Sequence, residues 1–286
     1  MRCFFVSDLH GHQYRYEQLF AAIERERPDV VLFGGDLLPA AHRAAAAQFP
    51  VVQDFIEDYL AARLAALKQH IGDEYPQICI VLGNDDPRRI ETDLCDPRHA
   101  GLWDYAHNRR VALGECAVFG YNYVPPTPFQ LKDWERYDVS RYVEPGCISP
   151  EEGRRSVPVE ASEARHTTIQ EDLETLTEGE DLSGAIMLFH APPYNTVLDR
   201  AALDGRMVDH VPLDVHVGSV AIRKFILARQ PRVTLHGHIH ESSAITGSWK
   251  QQLGDTWCLG AGHRGPELAL VEFDPADPAS ATRRLL

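Results

Sequence analysis

Residues of the kinds that ligate metal ions lie in five short clusters along this chain of 286 residues. Nearly every cluster stands beside a glycine or at the end of an apolar run. The seven candidate ligands are Asp8, His10, Asp36, Asn84, His190, His236 and His238. Oxygen ligands mixed with imidazoles are the set that a pair of hydrolytic metal ions requires. The sequence therefore predicts a metal site with hydrolytic chemistry.

Glycines beside the candidate ligands have a physical role, because they let the backbone turn sharply and approach a ligand closely. Asp36 follows Gly34 and Gly35, and a carboxylate on such a turn can present one oxygen to each of two ions. Ions roughly 3.5–4 Å apart can clamp a phosphoryl group and hold a hydroxide between them. Asn84 offers a neutral oxygen, and the histidines suit Mn, Fe, Zn or Ni. We expect two divalent ions, whose identity these ligands leave open.

Short apolar runs precede the clusters, so the elements that these runs form must position the candidate ligands. Runs of this kind predict buried strands. In the first half the predicted strands are 3–7, 30–33 and 78–82, and the predicted helices are 14–27 and 41–70. The second helix is rich in alanine and is expected to restart at Pro50, since proline fits a first helical turn. Strand, helix and strand in this order predict a parallel, right-handed arrangement. Residues far apart in sequence should then converge at the carboxyl edge of one sheet.

The second half repeats this pattern, with His190 and His236 each at the end of an apolar run. Further strands are predicted at 111–113, 116–119, 185–189, 232–235, 244–248, 257–259 and 268–273, the last three antiparallel. Further helices are predicted at 160–177 and 215–229, and a polar tail begins at Asp274. Two similarly built halves suggest two packed sheets with helices outside.

Residues 121–158 differ from both halves, because they carry many prolines, aromatic residues and charges and show little periodicity. An irregular stretch of this length inside a compact domain is typical of an active-site lid or binding loop. A solvated insertion without function is the alternative. The aromatic residues favour an ordered, packed segment, and they include Tyr121, Tyr123, Phe129 and Trp134.

The bulk composition limits the classes of function. A net charge of −14 argues against large nucleic acids, although metal ions in a cleft would still attract a small phosphorylated substrate. The six cysteines form no CxxC pair, which indicates buried free thiols in a reducing compartment. No signal peptide and no apolar stretch of about 20 residues is present, so we expect a cytoplasmic protein without a membrane partner.

Taken in order, the five clusters resemble the motifs of the calcineurin-like metallophosphoesterases, whose pattern runs DxH, GD, GNH[DE], H and GHxH. In this chain the corresponding residues are Asp8-Leu9-His10, Gly35-Asp36, Gly83-Asn84-Asp85-Asp86, His190, and Gly237-His238 preceded by His236. The resemblance extends from the amino terminus to about His240. It implies an α/β fold, a four-layer α-β-β-α sandwich of two mixed β-sheets with helices outside, in a single domain over residues 1–286.

The resemblance also implies a role for each ligand. The ligands of the first ion would be Asp8, His10 and His238. The ligands of the second ion would be Asn84, His190 and His236. Asp36 would bridge the two ions, and a hydroxide held between them would attack phosphorus while ions and histidines stabilise the developing charge.

Position 85 departs from the family pattern, because Asp85 stands where the family has a histidine near the substrate phosphate. A carboxylate cannot stabilise phosphate charge at neutral pH, and it could protonate a leaving group only with a strongly raised pKa. Asp85 could be catalytic or orient the substrate, could contact a metal, or could be solvated or cap the next helix. The expected catalytic set is Asp36, Asn84, Asp85 and Asp86.

Six further residues are candidate substrate contacts: His12, Asn122, Tyr123, His240, His263 and Arg264. For the three histidines among them, the alternative is a surface or supporting role.

The leading expectation is a phosphoesterase with two metal ions that acts on a small phosphodiester. Diesters are preferred to monoesters because the usual histidine at position 85 is absent, and family members without it include phosphodiesterases and pyrophosphate-cleaving hydrolases. A phosphomonoesterase or protein phosphatase is the second hydrolase interpretation. A non-catalytic, metal-dependent scaffold is the alternative from another class, and retention of all seven ligands argues against it. The natural substrate and the oligomeric state are not indicated.

Overall fold

The computed structural model of the protein describes residues 1–39 and 54–286. The strands of these residues are β1 (Cys3–Val6), β2 (Val30–Gly34), β3 (Gln77–Val81), β4 (Asp104–Tyr105), β5 (Arg109–Leu113), β6 (Cys116–Tyr121), β7 (Ala185–Phe189), β8 (Met207–Val208), β9 (Val211–Pro212), β10 (Val233–His236), β11 (Lys250–Leu253), β12 (Thr256–Gly260), β13 (Ala269–Asp274) and β14 (Asp277–Leu285). The α-helices are α1 (Gln13–Glu26), α2 (Ala62–Ile71), α3 (Glu91–Leu94), α4 (Ala161–His166), α5 (Ile169–Leu176), α6 (Val220–Arg229) and α7 (Ser242–Thr246).

Two six-stranded sheets form the centre of the protein. The first has the order β14-β13-β1-β2-β3-β4, and the second has the order β11-β12-β10-β7-β6-β5. Four strands in each sheet are parallel: β1 to β4 in the first, and β6, β7, β10 and β12 in the second. The remaining strands join antiparallel at the outer positions. The predicted α/β fold with two mixed sheets is therefore confirmed.

Side chains alternate along each strand between two apolar layers. Phe5 of β1 packs in one buried cluster with Ile186 of β7, which lies in the other sheet. The neighbouring Phe4 belongs to a second cluster with Tyr16 of α1. One layer thus lies between the sheets and the other beneath the helices. This double burial explains why the strands are continuous apolar runs.

Several predicted elements differ from the observed ones. Residues 244–248 are predicted to be a strand, but α7 occupies most of them, and the helix ends at Thr246 because the next residue, Gly247, is left-handed. Residues 257–259 lie in β12, which is antiparallel to β11 as expected but parallel to β10. The expected helix at 160–177 is two helices, because Thr168 has extended backbone and its side chain caps α5.

Other helices and strands also begin or end at residues that differ from the predicted ones. The helix expected at 215–229 begins only after Ser219, whose hydroxyl accepts from the backbone N–H of Ile222. The tail after Asp274 forms β14, whose pairing with β13 the polar sequence did not indicate. Of the helix expected at 41–70, a π-helical turn, Phe55–Ala61, and α2 are confirmed. The expected restart at Pro50 lies outside the described residues.

The segment between β6 and α4 contains no helix and only isolated β-bridges. Tyr121, Tyr123 and Trp134 are nevertheless buried, as predicted, whereas Phe129 is 54% exposed. Lys132 and Glu135 form an ion pair with both side chains fully buried. The segment is therefore an ordered, packed part of the molecule.

Two carboxylates, one buried and one half-buried, attach this segment to its neighbours. Asp133 accepts hydrogen bonds of 2.8 Å from the backbone N–H groups of Arg88 and Ser156. Asp138 accepts from the Ser219 hydroxyl and the Val220 N–H at the start of α6. Both contacts lie on the side of the molecule where β3 and β7 end.

All six cysteines are free, as predicted. Only Cys3, Cys79 and Cys258 are buried, so the expected burial is wrong for the other three, and Cys95 is exposed. Within residues 1–39 and 54–286, no helix is both long and apolar enough to cross a membrane.

Candidate metal centre

The candidate ligands lie where the parallel strands of both sheets end at the same level. In the first sheet, Val6 of β1 pairs with Phe33 of β2, and Gly34 pairs with Val81 of β3. In the second sheet, Phe189 of β7 pairs with Tyr121 of β6. The residues that directly follow these strands therefore share one edge, as the positions of parallel strand ends require.

Backbone hydrogen bonds join the loop after β1 to the loop after β2. The N–H of Asp8 donates to the Gly35 carbonyl at 2.9 Å, and the N–H of His10 donates to the Asp36 carbonyl at 2.8 Å. The guanidinium of Arg15, on α1, donates to the Asp8 carbonyl at 2.6 Å. These bonds fix the positions of the first two candidate carboxylates relative to each other.

Two positions at this edge require glycine, because atoms of neighbouring loops occupy the space that a Cβ would fill. A Cβ on Gly83 would lie 2.2 Å from Asp36 Oδ1 and 2.6 Å from His190 Nε2. A Cβ on Gly237 would lie 1.9 Å from Ser7 Oγ and 2.6 Å from Asp8 Oδ2. Glycine at both positions therefore allows loops from the two sheets to meet around the carboxylates.

The structure brings four side chains into a first cluster: Asp8, His10, Asp36 and His240. One possible ligand atom from each lies within 4.8 Å of the others. His240 Nε2 is 3.2 Å from Asp8 Oδ1 and 3.2 Å from His10 Nε2. Two carboxylates and two imidazoles in this volume suit a divalent transition ion.

A second cluster contains Asp36, His190 and His238, again within 4.8 Å. Asn84 adjoins it, since its Oδ1 is 3.2 Å from His190 Nε2. His190 Nδ1 donates to the Gly34 carbonyl at 2.7 Å, which leaves Nε2 as the atom that faces the other ligands. Asp36 belongs to both clusters, as expected of a bridging carboxylate.

Electrostatics in the two clusters suit a cation. Burial alone raises the pKa of Asp8, but nearby His240 outweighs it and lowers that pKa to about 2. Asp36 is likewise held ionised by His190, and in return the pKa of His190 rises to about 10 against the effect of burial. Burial and nearby His190 lower the pKa of His238 to about 3, so its ring is neutral. Ionised carboxylates and a neutral imidazole are the forms that ligate metals. The raised pKa of His190 means that its ring carries a proton when no ion is present, and an ion that binds would displace this proton. With that exchange the donor set fits two divalent ions.

His236, expected as a ligand, lies in neither cluster. Its Nδ1 bonds the Ala191 carbonyl at 2.8 Å, its Nε2 bonds Thr234 Oγ1 at 2.7 Å, and its ring stacks on Phe189. Strand alternation would place His236 and His238 on the same side of the backbone, where both could be ligands. The alternation does not continue, because the strand ends at His236 and His238 has a positive φ of 69°. The motif is therefore Gly237-His238-Ile239-His240, and His240 replaces His236 in the candidate ligand set.

Asp85 lies at the metal clusters with its side chain 35% exposed. Its backbone N–H donates to Asp36 Oδ1 at 2.8 Å, and its Oδ2 lies 3.6 Å from His10 Nδ1. The residue that replaces the family histidine thus adds negative charge next to the ligands.

Two other candidates have supporting positions. Asp86 is fully buried and accepts from the N–H groups of Leu37, Leu38 and Gly83, which ties the Asp36 loop to the Asn84 loop. Burial raises its pKa to about 7. Asn122 is also fully buried, and its Oδ1 accepts from the Leu82 N–H while its amide donates to a tyrosine. Neither side chain is available for catalysis or substrate binding, because its polar atoms already have partners.

The remaining candidate substrate contacts differ in their exposure and in their partners. Tyr123 is buried, and its hydroxyl accepts a hydrogen bond of 3.0 Å from Arg136. His12 is exposed at the start of α1, and Arg264 is exposed in the loop after β12. In the same loop, His263 lies 3.0 Å from Glu267.

Arg15 is a supporting residue that sequence reasoning missed. Besides the Asp8 carbonyl, its guanidinium contacts the Gly265 carbonyl at 2.6 Å, so it holds the 263–265 loop next to the first cluster. Nothing in its sequence neighbourhood indicated this bond. For His240, by contrast, a literal reading of the GHxH motif would have been sufficient.

Comparisons with known proteins agree with this geometry. A family model described as calcineurin-like phosphoesterase matches residues 1–242. Over 67 residues the chain is 42% identical to the uncharacterized protein MJ1162 of Methanocaldococcus jannaschii, a match that covers 23% of this chain and only 27% of that protein.

Solved structures share the fold at low identity. The protein TT1561 of Thermus thermophilus superposes with a TM-score of 0.54 at 16% identity, covering 99% of this chain and 98% of that one. The phosphopantetheinyl hydrolase PptH from Mycobacterium tuberculosis gives 0.50 at 11% identity, covering 91% and 89%. Because the family model spans most of the chain and both ligand clusters, the chain belongs to the calcineurin-like phosphoesterases, which are metal-dependent hydrolases of phosphoric esters.

Proposed function

We propose that this protein is a phosphoesterase with two metal ions and that it prefers small phosphodiesters. The observation that carries the proposal is the shared carboxylate: Asp36 belongs to both ligand clusters. Asp8, His10, Asp36 and His240 would hold the first ion. Asp36, Asn84, His190 and His238 would hold the second ion. Two divalent ions bound there supply Lewis-acid stabilisation of phosphoryl charge and lower the pKa of a water.

The chain itself contributes a rigid ligand frame. The Gly34 carbonyl fixes the ring of His190, and Asp86 fixes the Asp36 loop against the Asn84 loop. Such supporting bonds keep ligand atoms in place and typically change metal affinity or activity by roughly 10–100-fold when removed.

Asp85 supports the preference for diesters. A phosphomonoester carries about −1.5 to −2 charge at pH 7, whereas a diester carries a single negative charge. The Asp85 carboxylate stands at the ligand clusters and repels the monoester more strongly. The same charge difference disfavours a phosphomonoesterase or protein phosphatase.

The proposal is tested with metal-free protein reloaded with Mn²⁺ and assayed on bis(p-nitrophenyl) phosphate and p-nitrophenyl phosphate. Wild type should bind about two ions and hydrolyse the diester with the higher kcat/KM. Asp36→Asn should lose bound metal and at least about 100-fold in kcat/KM, because it removes a ligand of both ions. Asp73→Asn, at an exposed turn, is the matched control.

Each alternative has its own outcome. Wild type without bound transition metal, or Asp36→Asn with full turnover, would reject the hydrolase and favour the scaffold. A monoester activity equal to or above the diester activity would remove the substrate preference alone.

A further inference from the structure

A histidine outside the metal clusters is held by a buried carboxylate. His216 Nδ1 donates to Asp199 Oδ1 at 2.8 Å, with the imidazole 26% exposed and the carboxylate fully buried. Asp199 also accepts from the backbone N–H groups of Asn195 and Thr196 at 2.8 Å and of Gly218 at 3.1 Å. These bonds fix the carboxylate, which in turn fixes the ring of His216. We call these two residues the 199–216 pair.

The fold places the 199–216 pair on the side of the metal clusters. The chain leaves β7 after Phe189 and returns through α6 to the parallel strand β10, so residues 190–219 lie at the carboxyl edge of the second sheet. The two ends of this segment meet, since the Ser219 N–H donates to the Pro192 carbonyl at 2.8 Å. Pro192 is two residues from the ligand His190.

Contacts between this segment and the loop that carries His238 and His240 agree with that position. The N–H of Ala202 donates to the carboxylate of Glu241, which is next to His240, at 3.1 Å. Leu198, which precedes Asp199, lines a small cleft together with Gly237. The segment that carries the pair therefore lies at the same edge of the second sheet as the candidate metal centre, and neither residue of the pair belongs to a ligand cluster.

The chemistry of the pair suits proton transfer. Because a carboxylate can only accept, Nδ1 of His216 carries a proton, and Nε2 is the atom that can release one. Among the residues that the structure describes, none is hydrogen-bonded to that Nε2. A partly exposed imidazole oriented by a buried carboxylate is a common arrangement of acid–base groups.

We propose that His216 is the proton donor to the leaving group, in place of the histidine that position 85 lacks. This inference rests on the proposed phosphoesterase function. The bond between phosphorus and the leaving oxygen breaks, and its electron pair goes to that oxygen, which takes the Nε2 proton of the His216 imidazolium. Water supplies the oxygen that bonds phosphorus, its lost proton goes to solvent, and solvent reprotonates His216. Asp199 is a positioning residue that keeps its hydrogen bond throughout.

The test compares diesters whose leaving groups differ in their need for a proton. Bis(p-nitrophenyl) phosphate releases a stable anion, whereas diphenyl phosphate releases a poor leaving group. His216→Gln should lower kcat for diphenyl phosphate by about 10²–10⁴-fold and should change kcat for the nitrophenyl diester by less than about tenfold. Asp199→Asn should also lower kcat more for diphenyl phosphate than for the nitrophenyl diester, but by a smaller factor than His216→Gln. His70→Gln, an exposed histidine paired with Glu24 on a distant helix, is the control.

A second readout does not depend on turnover. Inorganic phosphate added to metal-loaded wild type should shift the ¹⁵N signal of His216 Nε2 and leave that of His70 unchanged. Equal losses on both diesters, no loss on either, or an unmoved Nε2 signal would overturn the role of His216. Wild type inactive on all esters would overturn the phosphoesterase proposal and this inference together, whereas active wild type with an unselective variant overturns only the inference.

Discussion

Strained backbone occurs at four of the residues that form the metal clusters. Asp8, His10, Asp36 and His238 all have positive φ, between 47° and 69°. For residues with a Cβ this conformation costs about 1–2 kcal/mol each. Hydrogen bonds offset the cost, and one of them is the His238 N–H that donates to the Asp8 carboxylate at 3.0 Å. Strain that neighbouring loops hold in place is typical of functional sites, and here it occurs at side chains of both ligand clusters.

His236 and His240 provide a paired test of the ligand set. His240→Asn should lower the metal content and the activity, because it removes a ligand of the first cluster. His236→Asn should keep both ions and instead lower the free energy of unfolding by about 1–3 kcal/mol, since buried partners lose their bonds. Metal analysis and urea unfolding of both variants measure these effects. Loss of an ion from folded His236→Asn would return this residue to the ligand set.

Asp85→His should change the choice of substrate. The substitution removes a carboxylate from the ligand clusters and restores an imidazole, so kcat/KM for the monoester should rise relative to the diester. We expect a change of about tenfold, because like charges about 4 Å apart repel by roughly 1–4 kcal/mol. Asp73→His at an exposed turn is the control. An unchanged ratio would show that Asp85 does not set the preference.

At the scale of elements, side chains from one segment stabilise the ends of others. Asp138 comes from the irregular segment and accepts from the N–H groups of Val220 and Ala221, so it binds the positive end of α6. Asp133 similarly binds the turn after the Asn84 loop through Arg88. These attachments favour a segment that stays fixed on its neighbours over a lid that opens.

Asp138→Ala should weaken the attachment of the irregular segment to α6. The variant loses a cap on α6, so the free energy of unfolding should fall by about 1–2 kcal/mol. Hydrogen exchange should be slow over 122–160 in wild type and faster in the variant. The exposed Asp255→Ala is the control. Rapid exchange of this segment in wild type would instead favour the lid interpretation.

At the scale of the whole molecule, a charge cluster joins the two ends of the chain. Glu26, at the end of α1, is hydrogen-bonded to Arg2 at 2.6 Å and to Arg284 of β14 at 2.9 Å. Glu272 of β13 contacts both arginines as well. The first strand, first helix and last strand of the first sheet are thereby fastened together.

Glu26→Gln should destabilise the protein in a pH-dependent way. The hydrogen bond from Arg284 is the main cause that lowers the pKa of Glu26 from 4.5 to about 2. A lowered carboxyl pKa stabilises the fold above pH 4.5, and the stabilisation is lost as the pH falls towards 2. Because the cluster borders solvent, we expect about 1 kcal/mol at pH 7. Urea unfolding of metal-free wild type and variant at several pH values measures the difference, and a pH-independent difference would contradict the assignment.

Local sequence alone determined the strands that precede the ligand clusters, the glycine turns after them and six of the seven candidate ligands that the structure brings together. Those features depend on periodicity and on residues next to each other in the chain. Tertiary structure decided between His236 and His240, because the left-handed backbone at His238 interrupts the alternation that the sequence suggested. It also decided the partners of Asp86, Asp138 and Asp199, since each carboxylate binds backbone groups on other loops or across a turn. A carboxylate's neighbours in space depend on how the two sheets pack, and no local pattern encodes that packing.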